Sequence, residues 1–131
     1  MIPNQILLID SDKYIRESLN TFFNNGKDSF LIFKSANEGL NALEYQKIDV
    51  VISDYFLPDM DGVKFLIKAA EMSPGITRIL MTTILSEDLR IESINAGIDA
   101  LLEKPLSISS LDSILAKIDK KNLNRTENGV K

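Results

Sequence analysis

The chain has 131 residues, 44% hydrophobic and 26% charged, with a formal net charge of -4, the size and balance of one ordinary globular domain. It contains neither cysteine nor histidine, which excludes a disulfide framework, a thiolate or imidazole metal site, a cysteine nucleophile and an imidazole general base. Any metal should then be hard and oxygen-bound, Mg²⁺ or Ca²⁺, and the interspersed charges offer no basic stripe for nucleic acid.

Five short apolar runs read as strands: Gln5–Asp10, Ser29–Lys34, Asp49–Asp54, Thr77–Thr82 and Asp99–Glu103. Most are unbroken rather than alternating, as buried parallel strands are. Helical patterns lie between them. The first, Lys13–Asn25, carries Ile15, Leu19, Phe22 and Phe23 on one stripe and is closed by Gly26. Ser35-Ala36-Asn37-Glu38 is a capping box opening the second, with Leu40 and Leu43 facing in. The third runs from Gly62 to Met72, buries Phe65, Leu66 and Ala69, and stops at Ser73-Pro74-Gly75. The fourth spans Glu87 to Ala96 and ends at Gly97. The last, Ser110 to Lys121, follows Ser109 as N-cap and carries Leu111, Ile114, Leu115 and Ile118. Strands alternating with helices through right-handed crossovers make an α/β fold, a doubly wound five-stranded parallel sheet with helices on both faces. Residues 1–121 form one domain, and 122–131 read as a polar tail or the start of a linker. No run approaches the ~20 apolar residues of a membrane span, and Met1-Ile2-Pro3-Asn4 lacks a basic signal region. The expected location is the cytoplasm, with no membrane or direct nucleic-acid partner.

Four strands end in polar groups: Asp10-Ser11-Asp12, Asp54, Thr82-Thr83 and Glu103-Lys104-Pro105. The carboxyl ends of strands are where open α/β sheets bind and react, so acid, hydroxyl and ammonium can converge there. Together with the turn Asp54-Tyr55-Phe56-Leu57-Pro58-Asp59-Met60-Asp61-Gly62, this set resembles the receiver domain of bacterial two-component response regulators, over roughly residues 5–120. The resemblance implies a flavodoxin-like fold with strand order 2-1-3-4-5. It makes Asp54 the phosphoacceptor, Mg²⁺ the cofactor held by Asp10, Asp54 and the backbone carbonyl of Phe56, and Thr82 and Lys104 the groups that meet phosphoryl oxygens. It implies a cis Lys104-Pro105 bond, a histidine kinase or histidine phosphotransfer protein as donor, and a downstream protein or output domain met through the fourth-helix, fifth-strand, fifth-helix face. Such a domain is not a turnover enzyme.

This chain departs from the family pattern at several positions. Ser11 stands where a second acid usually ligates the metal, so metal affinity and phosphorylation rate should fall unless Asp12 compensates. Leu101 stands where an aromatic switch residue is usual, and Thr83 where a smaller residue is. Phe56 and Ile84 occupy positions governing water access, and their bulk should slow loss of the phosphoryl group. Asp12, Asp59 and Asp61 read mainly as caps and turn residues. Leu89, Ile91 and Ile94 with Leu101 offer a partner or homodimer surface, although part of that set reads as core; Ile114 and Ile118 read as core. The rival readings are a pseudo-receiver adaptor that acts without phosphorylation, a small phosphatase using Asp54, and a flavin-binding protein. The last two are disfavoured: Phe56 stands where a phosphatase would need an acid, and no Ser/Thr-rich phosphate loop follows the first strand.

Overall fold

Five parallel strands form one sheet in the order β2-β1-β3-β4-β5, from β1 (Gln5–Ile9), β2 (Ser29–Phe33), β3 (Val50–Asp54), β4 (Thr77–Thr82) and β5 (Ala100–Glu103). The helices between them are α1 (Lys13–Phe23), α2 (Ala36–Tyr45), α3 (Gly62–Met72) and α4 (Glu87–Asn95). This computed structural model describes residues 5–23, 28–105, 109–110 and 112–117, and the last two segments are helical. The expected architecture and strand order are therefore present. Gly26, Leu111, Ile118 and the 122–131 tail lie outside the described residues, as do the side chains of Phe22 and Phe23.

The unbroken apolar runs are explained by burial on both faces. Leu7, Ile9, Val51 and Leu80 pack with Ala42, Leu43, Phe65, Leu66, Ala69 and Leu89, under α2, α3 and α4. The residues between them, Ile6, Leu8, Val50, Ile52, Ile79 and Met81, point the other way and meet Leu115, Leu19 and Ile114 from the last helix and α1. Alternation is present, but each face finds its own apolar layer.

Helix ends follow local chemistry. Ser35 caps α2, its hydroxyl accepting from the Glu38 N–H and donating to Glu38 Oε1. Asp61 caps α3 by accepting from the Lys64 N–H at 2.9 Å, and Ser86 caps α4 through the Leu89 N–H. Gly97, at φ 74°, ends α4, with the Gly97 N–H donating to the Ile94 carbonyl and the Ile98 N–H to the Ser93 carbonyl. Four strand edges lie one residue inside the expected limits, at Asp10, Lys34, Asp49 and Asp99. At two of these, the acid before the strand uses its side chain as well: Asp49 Oδ2 accepts from the Gln5 N–H and Asp99 Oδ2 from the Arg78 N–H, each at 2.8 Å.

Ser93 on α4 is 4% exposed, and its hydroxyl has no hydrogen-bond partner among the described residues. A buried hydroxyl without a partner carries its full desolvation cost. Ser93→Ala should therefore stabilise the fold by about 1 kcal/mol, read from the midpoint of urea denaturation.

Candidate functional site

β1 and β3 are neighbours in the sheet centre, and their parallel register pairs Ile9 with Ser53. The residues after that pair, Asp10 and Asp54, consequently emerge side by side at the carboxyl rim. β5 delivers Lys104 to the same place from the sheet edge. Its ammonium lies 2.9 Å from Asp10 Oδ2 and 3.3 Å from Asp54 Oδ2. The three side chains are 8%, 0% and 8% exposed for Lys104, Asp10 and Asp54, so this is a nearly dry cluster of two carboxylates sharing one cation. Sequence reasoning placed all three at the site but did not foresee that the lysine bridges both acids.

The electrostatics follow from that geometry. Burial, then the charge of Asp10, pushes the Asp54 carboxyl above its ordinary value, and the opposing pull of Lys104 does not cancel them. Burial pulls Lys104 down, but its hydrogen bond to Asp10 and the two carboxylate charges outweigh this, leaving its value raised. The two shifts are compatible because Lys104 lies closer to Asp10 than to Asp54.

The Ser11 hydroxyl donates to the Phe56 carbonyl at 3.3 Å, tying the loop after β1 to the loop after β3. Asp12 serves α1: its Oδ1 accepts from the Tyr14 N–H at 2.9 Å, while its own N–H donates to Asp10 Oδ1. Among the described residues no group of three or more acids converges as a metal site. The oxygen donors that the sequence assigns to a cation are the Asp10 and Asp54 carboxylates, which meet at Lys104, and the Phe56 carbonyl, which accepts from the Ser11 hydroxyl. Mg²⁺ commonly takes one or two carboxylates and completes its shell with water and substrate phosphate, so these donors fit that ion.

Thr82 is 1% exposed. Its hydroxyl is engaged within its own loop, donating to the Ile84 carbonyl at 3.0 Å and accepting from the Ile84 N–H at 3.1 Å. Thr83 and Pro105 are exposed, Leu101 is half-buried against the core, and the Lys104-Pro105 bond is cis. Phe56 and Ile84 are 58% and 64% exposed and line one cavity beside Thr82. On α4, Leu89 is core, whereas Ile91 and Ile94 are 50% and 69% exposed.

Asp59 does something the sequence did not disclose. Its carboxylate accepts from the Ala36 N–H at 3.0 Å and the Asn37 N–H at 2.8 Å, capping α2 from another loop. Burial would raise its carboxyl, but the N–H groups of Asn37 and Ala36 outweigh it and hold the value below normal. The same loop is closed on itself by the Phe56–Asp61 bridge and by the Gly62 N–H donating to the Tyr55 carbonyl at 2.7 Å.

A family model described as response regulator receiver domain matches residues 6–116. The chain belongs to the response regulator receiver family. Among its relatives, this receiver is 32% identical to sporulation initiation phosphotransferase F of Bacillus subtilis (strain 168), covering 89% of this chain and 94% of that protein. It is 28% identical to the transcriptional regulatory protein GlrR of Escherichia coli (strain K12), covering 83% of this chain but only 24% of that one. Many of the curated relatives are thus much longer than this chain. A CheY-like response regulator receiver domain protein from Methanospirillum hungatei JF-1 superposes with a TM-score of 0.85 at 31% identity, covering 93% of this receiver and 98% of that chain. The receiver domain of an HD domain-containing protein from Pseudomonas fluorescens Pf-5 gives 0.87 at 28%, covering 97% and 94%. Among the described residues no helix is long and apolar enough to cross a membrane.

Proposed function

We propose that this receiver accepts a phosphoryl group on Asp54 from a phosphohistidine of a histidine kinase or histidine phosphotransfer protein, and passes the change to a partner through a protein surface. The observation that supports it best is the Asp10, Asp54 and Lys104 cluster at the carboxyl rim. Because these 131 residues contain no histidine, the donor lies outside them. An Asp54 oxygen attacks phosphorus as the P–N bond breaks, the electron pair leaving with the imidazole. Lys104 is placed to pair with a phosphoryl oxygen as a compact point charge. The Thr82 hydroxyl, once released from Ile84, can donate to another. Asp10, Asp54 and the Phe56 carbonyl would hold Mg²⁺, which offsets the repulsion between carboxylate and phosphoryl oxygens. On this reading residues 1–121 are the receiver, 122–131 are a tail or linker start, and the domain carries a signal rather than turning over a substrate.

Two measurements test the reading. Intact mass after acetyl phosphate and Mg²⁺ should show one added phosphoryl group on the wild type and none on Asp54→Asn. Ser11→Asp should label on the order of tenfold faster, since it supplies a third anionic ligand to a cation. An unlabelled wild type, with Ser11→Asp equally inert, would remove the proposal in favour of an adaptor. Phe56 and Ile84 should also screen the acyl phosphate, so Phe56→Asn with Ile84→Glu should hasten its decay by about tenfold or more, about 1.4 kcal/mol of barrier. Unchanged decay would mean that neither side chain limits water.

A further inference from the structure

Between the β3–α3 loop and α4 lies a cavity of about 220 Å³ lined by Tyr55, Phe56, Ile84, Asp88, Leu89 and Glu92. Its walls are of two kinds. The Tyr55 and Phe56 rings meet edge to face, centroids 4.9 Å apart at 86°, which sets two aromatic surfaces at right angles. Asp88 and Glu92 are one helical turn apart on α4 and therefore share a face. Both are exposed acids, and neither is in an ion pair among the described residues, although a cation is close in sequence: Arg90, two positions from each, is directed to Glu87 at 3.9 Å. The Tyr55 hydroxyl is held above its ordinary value by burial first, then by Asp61 and Glu92, so the carboxylate field reaches the ring.

We propose that this cavity receives an arginine side chain from a partner protein, its guanidinium against the Tyr55 and Phe56 rings and paired with Asp88 and Glu92. Charge complementarity requires a cation. The lining selects its kind: a small, strongly hydrated metal ion would need a cage of oxygens, whereas a planar, weakly hydrated guanidinium stacks on aromatic faces and pairs with carboxylates at the same time. Leu89 and Ile84 supply apolar wall for the aliphatic stem. Thr82 also lines the cavity, so the seated side chain lies beside the loops that frame Asp54. Binding to the unmodified protein does not depend on Asp54 chemistry.

The test is titration of ¹⁵N-labelled protein with acetyl-arginine amide, followed by amide chemical shifts. Saturable shifts are expected at Tyr55, Phe56, Ile84, Leu89 and Glu92, with Kd on the order of 10 mM, the range for one cation–π contact plus exposed ion pairs. Asp88→Asn and Glu92→Gln should each weaken binding about threefold, and together about tenfold. Both are exposed helix positions, and the unliganded spectrum reports whether each variant is folded. Acetyl-citrulline amide, neutral and of similar shape, should produce no saturation. Shifts that stay linear, or that saturate equally with citrulline or in the folded double variant, would overturn the proposal. Equal binding of acetyl-lysine amide would overturn the guanidinium assignment.

Discussion

Lys104→Met should destabilise the fold by about 3 kcal/mol at neutral pH in the presence of a chelator, a large loss for one side chain. Lys104 is the shared cation of two buried carboxylates, and methionine keeps most of its volume while removing the charge. Replacing a whole buried ion cluster by apolar residues can be neutral, but removing one member strands the others. Here Asp10 and Asp54 would face each other with no ammonium between them. The loss should shrink as pH falls. Without Lys104 one carboxyl of the pair has its folded value raised further above the unfolded one, so the native variant binds a proton more readily than the unfolded chain. Its stability then falls as pH rises through that window and recovers on acidification. Millimolar Mg²⁺ should stabilise the variant more than the wild type, because on the proposed reading it takes the same two acids. Urea denaturation at neutral and acidic pH, with chelator or Mg²⁺, reads both effects. A loss below about 1 kcal/mol would mean that the lysine behaves as an ordinary exposed ion-pair partner.

The parts of the fold visible in the sequence are those set by local pattern. α3 begins and ends where expected, at Gly62 and Met72, because an N-capping acid precedes it and Ser73-Pro74-Gly75 follows, with Gly75 at φ 89°. Asp10, Asp54 and Lys104 were readable as a set because parallel strands deliver their carboxyl ends to one rim. What remained hidden depends on contacts distant in sequence. Asp59 looks like a turn residue, but its hydrogen bonds reach Ala36 and Asn37, 23 and 22 positions away. Nothing local to Ser11 announces its bond to the Phe56 carbonyl, 45 positions on. The direction of the Thr82 hydroxyl is likewise set by the backbone of Ile84. The acidic aromatic cavity needs both α4 and the β3–α3 loop, and no single segment encodes it.

The close approach of α3 to the end of β3 predicts the second large effect, at Gly62. This residue opens α3, and its N–H donates to the Tyr55 carbonyl at 2.7 Å. A Cβ there would overlap the Asp54 carbonyl oxygen and lie 2.9 Å from both Tyr55 Cα and Leu80 Cδ1. Two of these three neighbours are backbone, and that backbone belongs to β3 and the residue leaving it, so it cannot step aside cheaply. Gly62→Ala should cost about 3 kcal/mol, the upper part of the range for overpacking. Any relaxation must move the backbone at Asp54 and Tyr55. Phosphorylation at Asp54 should therefore slow even under conditions where the variant stays fully folded. Gly75→Ala is the internal comparison. Gly75, unlike Gly62, has positive φ, and a Cβ there meets nothing within 4 Å, so the cost is conformational only, about 1 kcal/mol, and labelling should be untouched. Urea midpoints and intact-mass labelling rates on both variants separate the two mechanisms. Equal costs at Gly62 and Gly75, with equal labelling, would show that the β3 terminus yields to the added methyl group.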